Sequence, residues 1–161
     1  MNIQVEAGNA VRGGKHLTFM LGGETYGVEI LKVHEIIGLL PVTRVPRTPP
    51  YIRGVINLRG KVIPIMDLRL RFGMEAGTDA EGTCIIVVQI RGVQMGVVVD
   101  AVSDVSDFRE DEIEDVPSFG DGTSTEYLLG IAKGDASVKL LLDIDRVLSA
   151  EEIAELEAGS C

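Results

Sequence analysis

Tyr51-Ile52-Arg53-Gly54-Val55 returns 76 residues later as Tyr127-Leu128-Leu129-Gly130-Ile131. The same step carries Val62 and Ile65-Met66-Asp67-Leu68 onto Val138 and Leu141-Leu142-Asp143-Ile144. A second block lies upstream. Tyr26-Gly27-Val28-Glu29-Ile30, followed by Val33 and Ile36, maps at a step of 69 onto Met95-Gly96-Val97-Val98-Val99, Val102 and Val105. Glu35 lands on Asp104 at that step. One block of glycine and aliphatic matches would carry little weight, whereas two collinear blocks indicate an internal duplication.

The duplication settles segments that are ambiguous alone. Ile30, Val33, Ile36, Ile37 and Leu40 could form a helical face, but the matching run from Val97 to Val105 is β-branched and ends in alternation. Period and composition favour strand, tight turn, strand in both copies. Each copy then offers five short strands, near 17–22, 25–30, 34–39, 54–59 and 61–67, and near 83–91, 93–100, 103–108, 129–133 and 137–144. Gly22-Gly23, Arg59-Gly60 and Arg91-Gly92 are hairpin turns. Thr48-Pro49-Pro50 is the expected start of one helical turn. Ser149 and Glu152 form a capping box that opens a C-terminal helix. Short strands at this spacing favour small closed barrels, since closure removes exposed edges. Copies this small are marginal alone, so the two should pack on each other. The expected organisation is a disordered stretch 1–14, a first barrel 15–75, a linker 76–82, a second barrel 83–147, and a helix and tail 148–161, with terminal strands free to exchange.

The chain has 161 residues, 4% aromatic content, no Trp and a net charge of −10. A core without large aromatics must rest on Val, Ile and Leu, which suits strands. The acidic balance argues against nucleic acid as main partner. The charge is uneven: residues 1–74 carry a net +5 and residues 75–161 a net −15. Such asymmetry points to interaction surfaces. No apolar run is long enough to span a membrane, and no secretory signal opens the chain. Cys84 and Cys161 form neither a C-x-x-C motif nor a disulfide framework, which fits reduced thiols in a cytoplasm. His16 and His34 are the only histidines, and no phosphate loop, nucleophile elbow or metal-ligand spacing is present. The sequence asks for no cofactor, metal or catalytic residue. Asp67 and Asp143 are equivalent points of the repeat, and turn capping explains them better than paired catalytic acids.

The run Tyr51-Ile52-Arg53-Gly54-Val55-Ile56-Asn57-Leu58-Arg59-Gly60-Lys61-Val62-Ile63-Pro64-Ile65-Met66-Asp67-Leu68 resembles the central signature of the CheW family of chemotaxis coupling proteins. Tyr26-Gly27-Val28, Ile30-Leu31-Lys32-Val33, the stretch Val99 to Val105, and Ser124 to Leu128 resemble that family too. The likeness runs from about residue 17 to the end. It implies a mainly β fold of two packed, SH3-like, five-stranded barrels. It also implies a non-enzymatic adaptor that joins the cytoplasmic tips of chemoreceptors to the regulatory domain of the histidine kinase CheA. Such a protein is cytoplasmic and is recruited to the inner face of the membrane through receptor arrays, where other copies of CheW are further partners.

A receptor tip is a helical hairpin, so its partner needs an apolar groove with polar anchors. By resemblance, the groove lies between the barrels, and Val33, Glu35, Cys84 and Val105 line it. Val33, Val105 and Cys84 also read as core positions. Arg59 in its turn is expected to be a held surface arginine with Glu35 as partner, and Gly54 and Asn57 belong to the same patch. Gly54 and Gly130 also suit strand positions that need close backbone approach. The expected kinase contacts are Arg44, Val45 and Pro46 on the first barrel and Phe119 on the second. Two other readings stay open: a ligand-binding or enzymatic double barrel, and a regulatory domain cut from a longer kinase. The initial Met1 and the length speak against the last.

Overall fold

The computed structural model describes residues 12–75, 77, 81–117, 127–133 and 137–159. The chain runs through β1 (Gly14–Leu21), β2 (Glu24–Glu29), β3 (Val33–Gly38), β4 (Ile52–Leu58), β5 (Lys61–Asp67) and a single helical turn, α1 (Leu68–Arg71). It continues with β6 (Cys84–Ile90), β7 (Val93–Val99), β8 (Ala101–Phe108), β9 (Ile113–Glu114), β10 (Leu128–Lys133), β11 (Val138–Leu142) and α2 (Ala150–Gly159). All ten expected strands form, and the two-residue β9 is additional.

The strands make two sheets, ordered β8-β1-β2-β11-β10-β9 and β3-β6-β7-β5-β4. The duplication holds in their register. Ile36 faces Ile86 as Val105 faces Leu17, and Ile65 faces Gly96 as Leu141 faces Gly27. Even the irregularities recur: pairing skips His34 and Ser103, 69 residues apart, and Arg53 and Leu129, 76 apart. Thr43 bridges to Val55 where β9 pairs with β10.

The sheets do not follow the halves of the chain. β1 and β2 stand among the strands of the second repeat, and β6 and β7 among those of the first. The intervals 15–75 and 83–147 therefore do not each enclose one sheet. The cause is connection length. Only Asp100 separates β7 from β8, and only Ile30–Lys32, one 3₁₀ turn, separates β2 from β3. One extended residue spans about 3.5 Å, and three wound into a 3₁₀ turn advance about 6 Å, while crossing back over two strands takes about 10 Å. The chain runs on to the edge of the other sheet instead.

The exchanged hairpins are buried on both faces. Leu17, Phe19, Leu21, Tyr26 and Val28 meet Ile86, Val88, Ile90, Met95, Val97 and Val99 in the large core between the sheets. The opposite faces fill two smaller cores. Ile63, Ile65, Ile85, Val87 and Val98 lie inside one sheet, and Phe108, Ile113, Ala132 and Leu141 inside the other. Two curled sheets, each with its own core, accord with SH3-like barrels. Gly96 sits where a Cβ would come within 2.5 Å of Ile65 Cδ1, so the interior admits no side chain there.

Two expectations are corrected, one at the N-terminal side and one ahead of β4. Residues 12–14 are held: the Arg12 and Gly13 amides donate to Glu110 Oε1, at 2.9 and 2.7 Å, and Gly14 opens β1. Residues 1–11, like Phe119 and Cys161, lie outside the described residues. Thr48-Pro49-Pro50 starts no helix. The Thr48 hydroxyl donates back to the Val45 carbonyl at 2.9 Å, and Ile52 N–H closes on Pro49 O. Each residue before a proline is pushed out of the helical region, and here two stand in succession. The C-terminal capping box forms as expected: Glu152 N–H donates to Ser149 Oγ and Ser149 N–H to Glu152 Oε1.

Candidate partner seam between two edge strands

β3 and β8 are repeat equivalents, and each forms the outer edge of one sheet. They approach each other at Cys84, the first residue of β6. Cys84 pairs with Gly38 at the end of β3, and its thiol receives the Val102 amide from the start of β8. Burial pushes the Cys84 thiol up, which keeps it protonated and unreactive. Val33, Cys84 and Val102 pack against the rim of the large core. Val105 is 46% exposed and Ile36, its repeat equivalent, 44%. Matched aliphatics thus face outward on both edges. Sequence reasoning named Val105 but missed Ile36, although the step of 69 joins them.

Arg59 tops the β4–β5 turn with φ +52°, followed by Gly60 at +86°. Asn57 Oδ1 accepts from the Gly60 amide at 2.7 Å and so holds the turn. Both guanidinium Nη atoms of Arg59 donate to the Glu35 carboxylate on β3. Arg59 accordingly holds the Glu35 carboxyl below its ordinary range. The pair joins the two ends of its sheet, since β3 and β4 are last in the order β3-β6-β7-β5-β4. Arg59, Glu35 and Asn57 are brought together as expected.

Gly54 belongs elsewhere. It is buried at φ +145°, and a Cβ there would lie 2.1 Å from the Thr43 carbonyl oxygen. Its place is under the segment 42–45, not on a partner surface. That segment straps across β4 through reciprocal bonds, Thr43 N to Val55 O at 2.9 Å and Val55 N to Thr43 O at 2.8 Å. The strap displays Arg44 and Pro46 and turns Val45 inward. Val45 walls a cleft of about 340 Å³ with Val55, Val62, Pro64, Ile153 and Leu156. Val62 is 63% exposed at its mouth, an interaction candidate the sequence reading passed over.

α2 is tied down beside this cleft. Arg71 donates to both Glu152 oxygens, at 3.0 and 2.9 Å, and to the Val147 carbonyl at 2.8 Å. Its guanidinium lies over the repeat-equivalent rings of Tyr51 and Tyr127, 4.7 and 5.5 Å from their centroids. Burial and Glu152 push the Tyr51 hydroxyl up to about 12. Asp67 and Asp143 do cap: their carboxylates accept from the Leu70 and Asp145 amides. Among the described residues, no three His, Cys, Asp or Glu side chains group to hold a metal, and no helix is long and apolar enough to cross a membrane.

The family described as the CheW-like domain matches residues 15–152. The chain belongs to the CheW family. The chemotaxis protein CheW of Klebsiella aerogenes is 43% identical over 92% of this chain and 89% of its own length. That of Rhizobium meliloti is 35% identical over 91% of this chain and 95% of its own. Among solved structures, the scaffolding protein TtCheW from Thermoanaerobacter tengcongensis superposes with a TM-score of 0.78 at 36% identity. That match covers 87% of this chain and 95% of TtCheW. Shared CheW membership places this fold among chemotaxis scaffold proteins.

Proposed function

We propose that the chain is a non-enzymatic adaptor that couples chemoreceptors to the histidine kinase CheA. The seam between β3 and β8 takes the helical hairpin of a receptor's cytoplasmic tip. Ile36 and Val105 give it apolar contact, and Arg59 with Glu35 and Asn57 gives it polar anchors. Outward aliphatics at equivalent places among the polar side chains of both edges carry this reading, because a docked helix needs apolar contact rimmed by polar groups. The strap bearing Arg44 and Pro46, with the cleft behind Val45, takes the CheA regulatory domain. Phe119 is a second kinase contact by family resemblance alone. The protein works in the cytoplasm and reaches the membrane's inner face through the receptors, beside other copies of itself.

Titration of the full chain with a receptor-tip hairpin, and separately with the CheA regulatory domain, tests the proposal. Saturable binding to both, with the hairpin bound normally by a strap variant such as Arg44→Ala, is the expected result. Failure to bind either partner rejects it.

A further inference from the structure

Two carboxylates outside the Arg59–Glu35 patch perform one task, once in each repeat. Asp100 is the single residue between β7 and β8. Its Oδ2 accepts from the Gly22 amide at 2.9 Å, and Arg69, in the turn after β5, donates to both its oxygens at 2.9 and 2.7 Å. Asp145 lies in the turn after β11. Its Oδ1 accepts from the Arg91 amide at 2.7 Å, and its Oδ2 from Lys32 Nζ at 2.8 Å. Lys32 directly precedes β3, as Asp100 precedes β8. Gly22 and Arg91 are 69 apart and open the turns of the two exchanged hairpins.

The contact recurs while its charges are reversed. Arg69 and Asp145 are equivalent at the step of 76. The turn after β5 supplies the cation and the crossover the anion. After β11 the turn supplies the anion and the crossover the cation. Inheritance from one ancestral unit would have copied the residues along with the contact. The tie between crossover and turn is therefore the retained property, whichever side bears the charge.

We propose that Arg69–Asp100 and Lys32–Asp145 are positioning pairs that fix how far apart β3 and β8 leave their hairpins, and thereby set the shape of the partner seam. The proposal rests on the reading of that seam as a docking site for a helical hairpin. Each tie is partly buried, with side chains 27% and 32% exposed in one and 39% and 36% in the other. Each carboxylate also holds a turn amide, so more than a solvated surface pair is at stake. Arg69 first, then the Gly22 amide, keeps the Asp100 carboxyl below its ordinary range against the pull of burial. At Asp145, burial opposes ionisation and the Arg91 amide and Lys32 outweigh it. Both ties are charged at neutral pH.

Spin labels on His34→Cys and Ser103→Cys read the spacing directly in the full chain, with Cys84→Ala and Cys161→Ser removing the native thiols. His34 and Ser103 are exposed and occupy equivalent places on the two edges. The intact chain should give one narrow distance. Lys32→Met and Asp100→Asn should each broaden or displace it, and Arg69→Lys should preserve it. Lys133→Met, which removes the exposed Lys133–Glu114 pair, should leave it unchanged. In chains without labels, the first two variants should bind the receptor-tip hairpin about 2- to 30-fold more weakly, although neither side chain lies in the seam. An unchanged distance with both ties cut would overturn the proposal. If that double variant fails to fold, Lys32→Met alone decides, because it removes only the Nζ bond and leaves Asp145 held by the Arg91 amide. If the intact chain binds no hairpin while the distances respond as expected, the adaptor reading fails and the ties stand.

Discussion

Gly54→Ala puts the strap to a quantitative test. The added Cβ would lie 2.1 Å from Thr43 O, 2.7 Å from its carbonyl carbon and 2.9 Å from Val42 Cγ1. Ordinary contact begins near 3.4 Å, so the strap must retreat by more than an ångström or the fold must yield. Retreat breaks both Thr43–Val55 bonds, at about 1 kcal/mol each. Holding a residue with a Cβ at φ +145° adds about 1–3 kcal/mol. The expected destabilisation is thus about 3–5 kcal/mol, among the larger effects of single substitutions. Gly130→Ala at the equivalent place should cost less, about 1–3 kcal/mol. Its φ is ordinary, and the nearest atom, Ile113 Cγ2 at 2.7 Å, belongs to a side chain. The chain has no Trp, so urea unfolding followed by circular dichroism measures stability. Hydrogen exchange of the Thr43 and Val55 amides reports the strap. A Gly54→Ala chain within about 0.5 kcal/mol of the parent, with both amides still protected, would refute the reasoning. Kinase binding should fall with the strap, while hairpin binding at the seam persists.

Two other substitutions separate structure from binding. Arg59→Gly suits the left-handed turn better than arginine does, so the melting temperature should hold or rise while hairpin binding weakens. A lower melting temperature with full binding would show the arginine to be structural. Glu152→Gln breaks the charged bonds to Arg71 and should cost about 1.5–3 kcal/mol at pH 7. Burial opposes ionisation of Glu152, but the Ser149 amide and Arg71 outweigh it and hold the carboxyl below its ordinary 4.5. A depressed folded value means stability is gained above 4.5 and lost as pH falls through the folded value. Unfolding curves of parent and variant should converge below about pH 4.5, and a constant gap would exclude this linkage.

Ten strands, three turns and three caps were legible because each rests on local chemistry: alternation, Gly-containing pairs, Asp or Ser before a turn. That strands could exchange between the copies was legible, but which hairpins do so was not, for a reason inherent in duplication. Equivalent strands present nearly the same faces, so constant steps of 69 and 76 are satisfied equally by pairing within a copy or between copies. Connection length decides, and it acts only once strand ends are known. β9 escaped because two residues show no period. The hold on Arg12 joins groups 98 residues apart, beyond any local pattern. Gly54 was read as part of the binding patch through its neighbours in the motif, whereas its backbone angle ties it to the strap. At the seam, Arg59, Glu35 and Asn57 were legible from the motif. Ile36 was hidden because an apolar residue in an alternating strand looks like core until its sheet is known to end there.

The same exchange bears on the uneven charge of the chain. Moving β1–β2 and β6–β7 between sheets could have mixed a basic half with an acidic one. It does not, because the hairpins hold only four charged side chains, Lys15, Glu24, Glu29 and Arg91. Apolar on both faces, they are what can be exchanged, and the charge stays with the strands and loops left behind. The unit built on β3, β4 and β5 keeps Arg44, Arg47, Arg53, Arg59 and Lys61, and the unit built on β8 to β11 keeps the acidic run from Asp104 to Asp115. Joining the units through hairpins whose few charges stay out of the large core also avoids burying ions there, where desolvation would outweigh their attraction. Polarity of the surface and apolarity of the joint are two results of one distribution of residues. An adaptor with unlike partners on its two units needs both: a joint firm enough to fix the seam, and faces different enough to keep the partners apart.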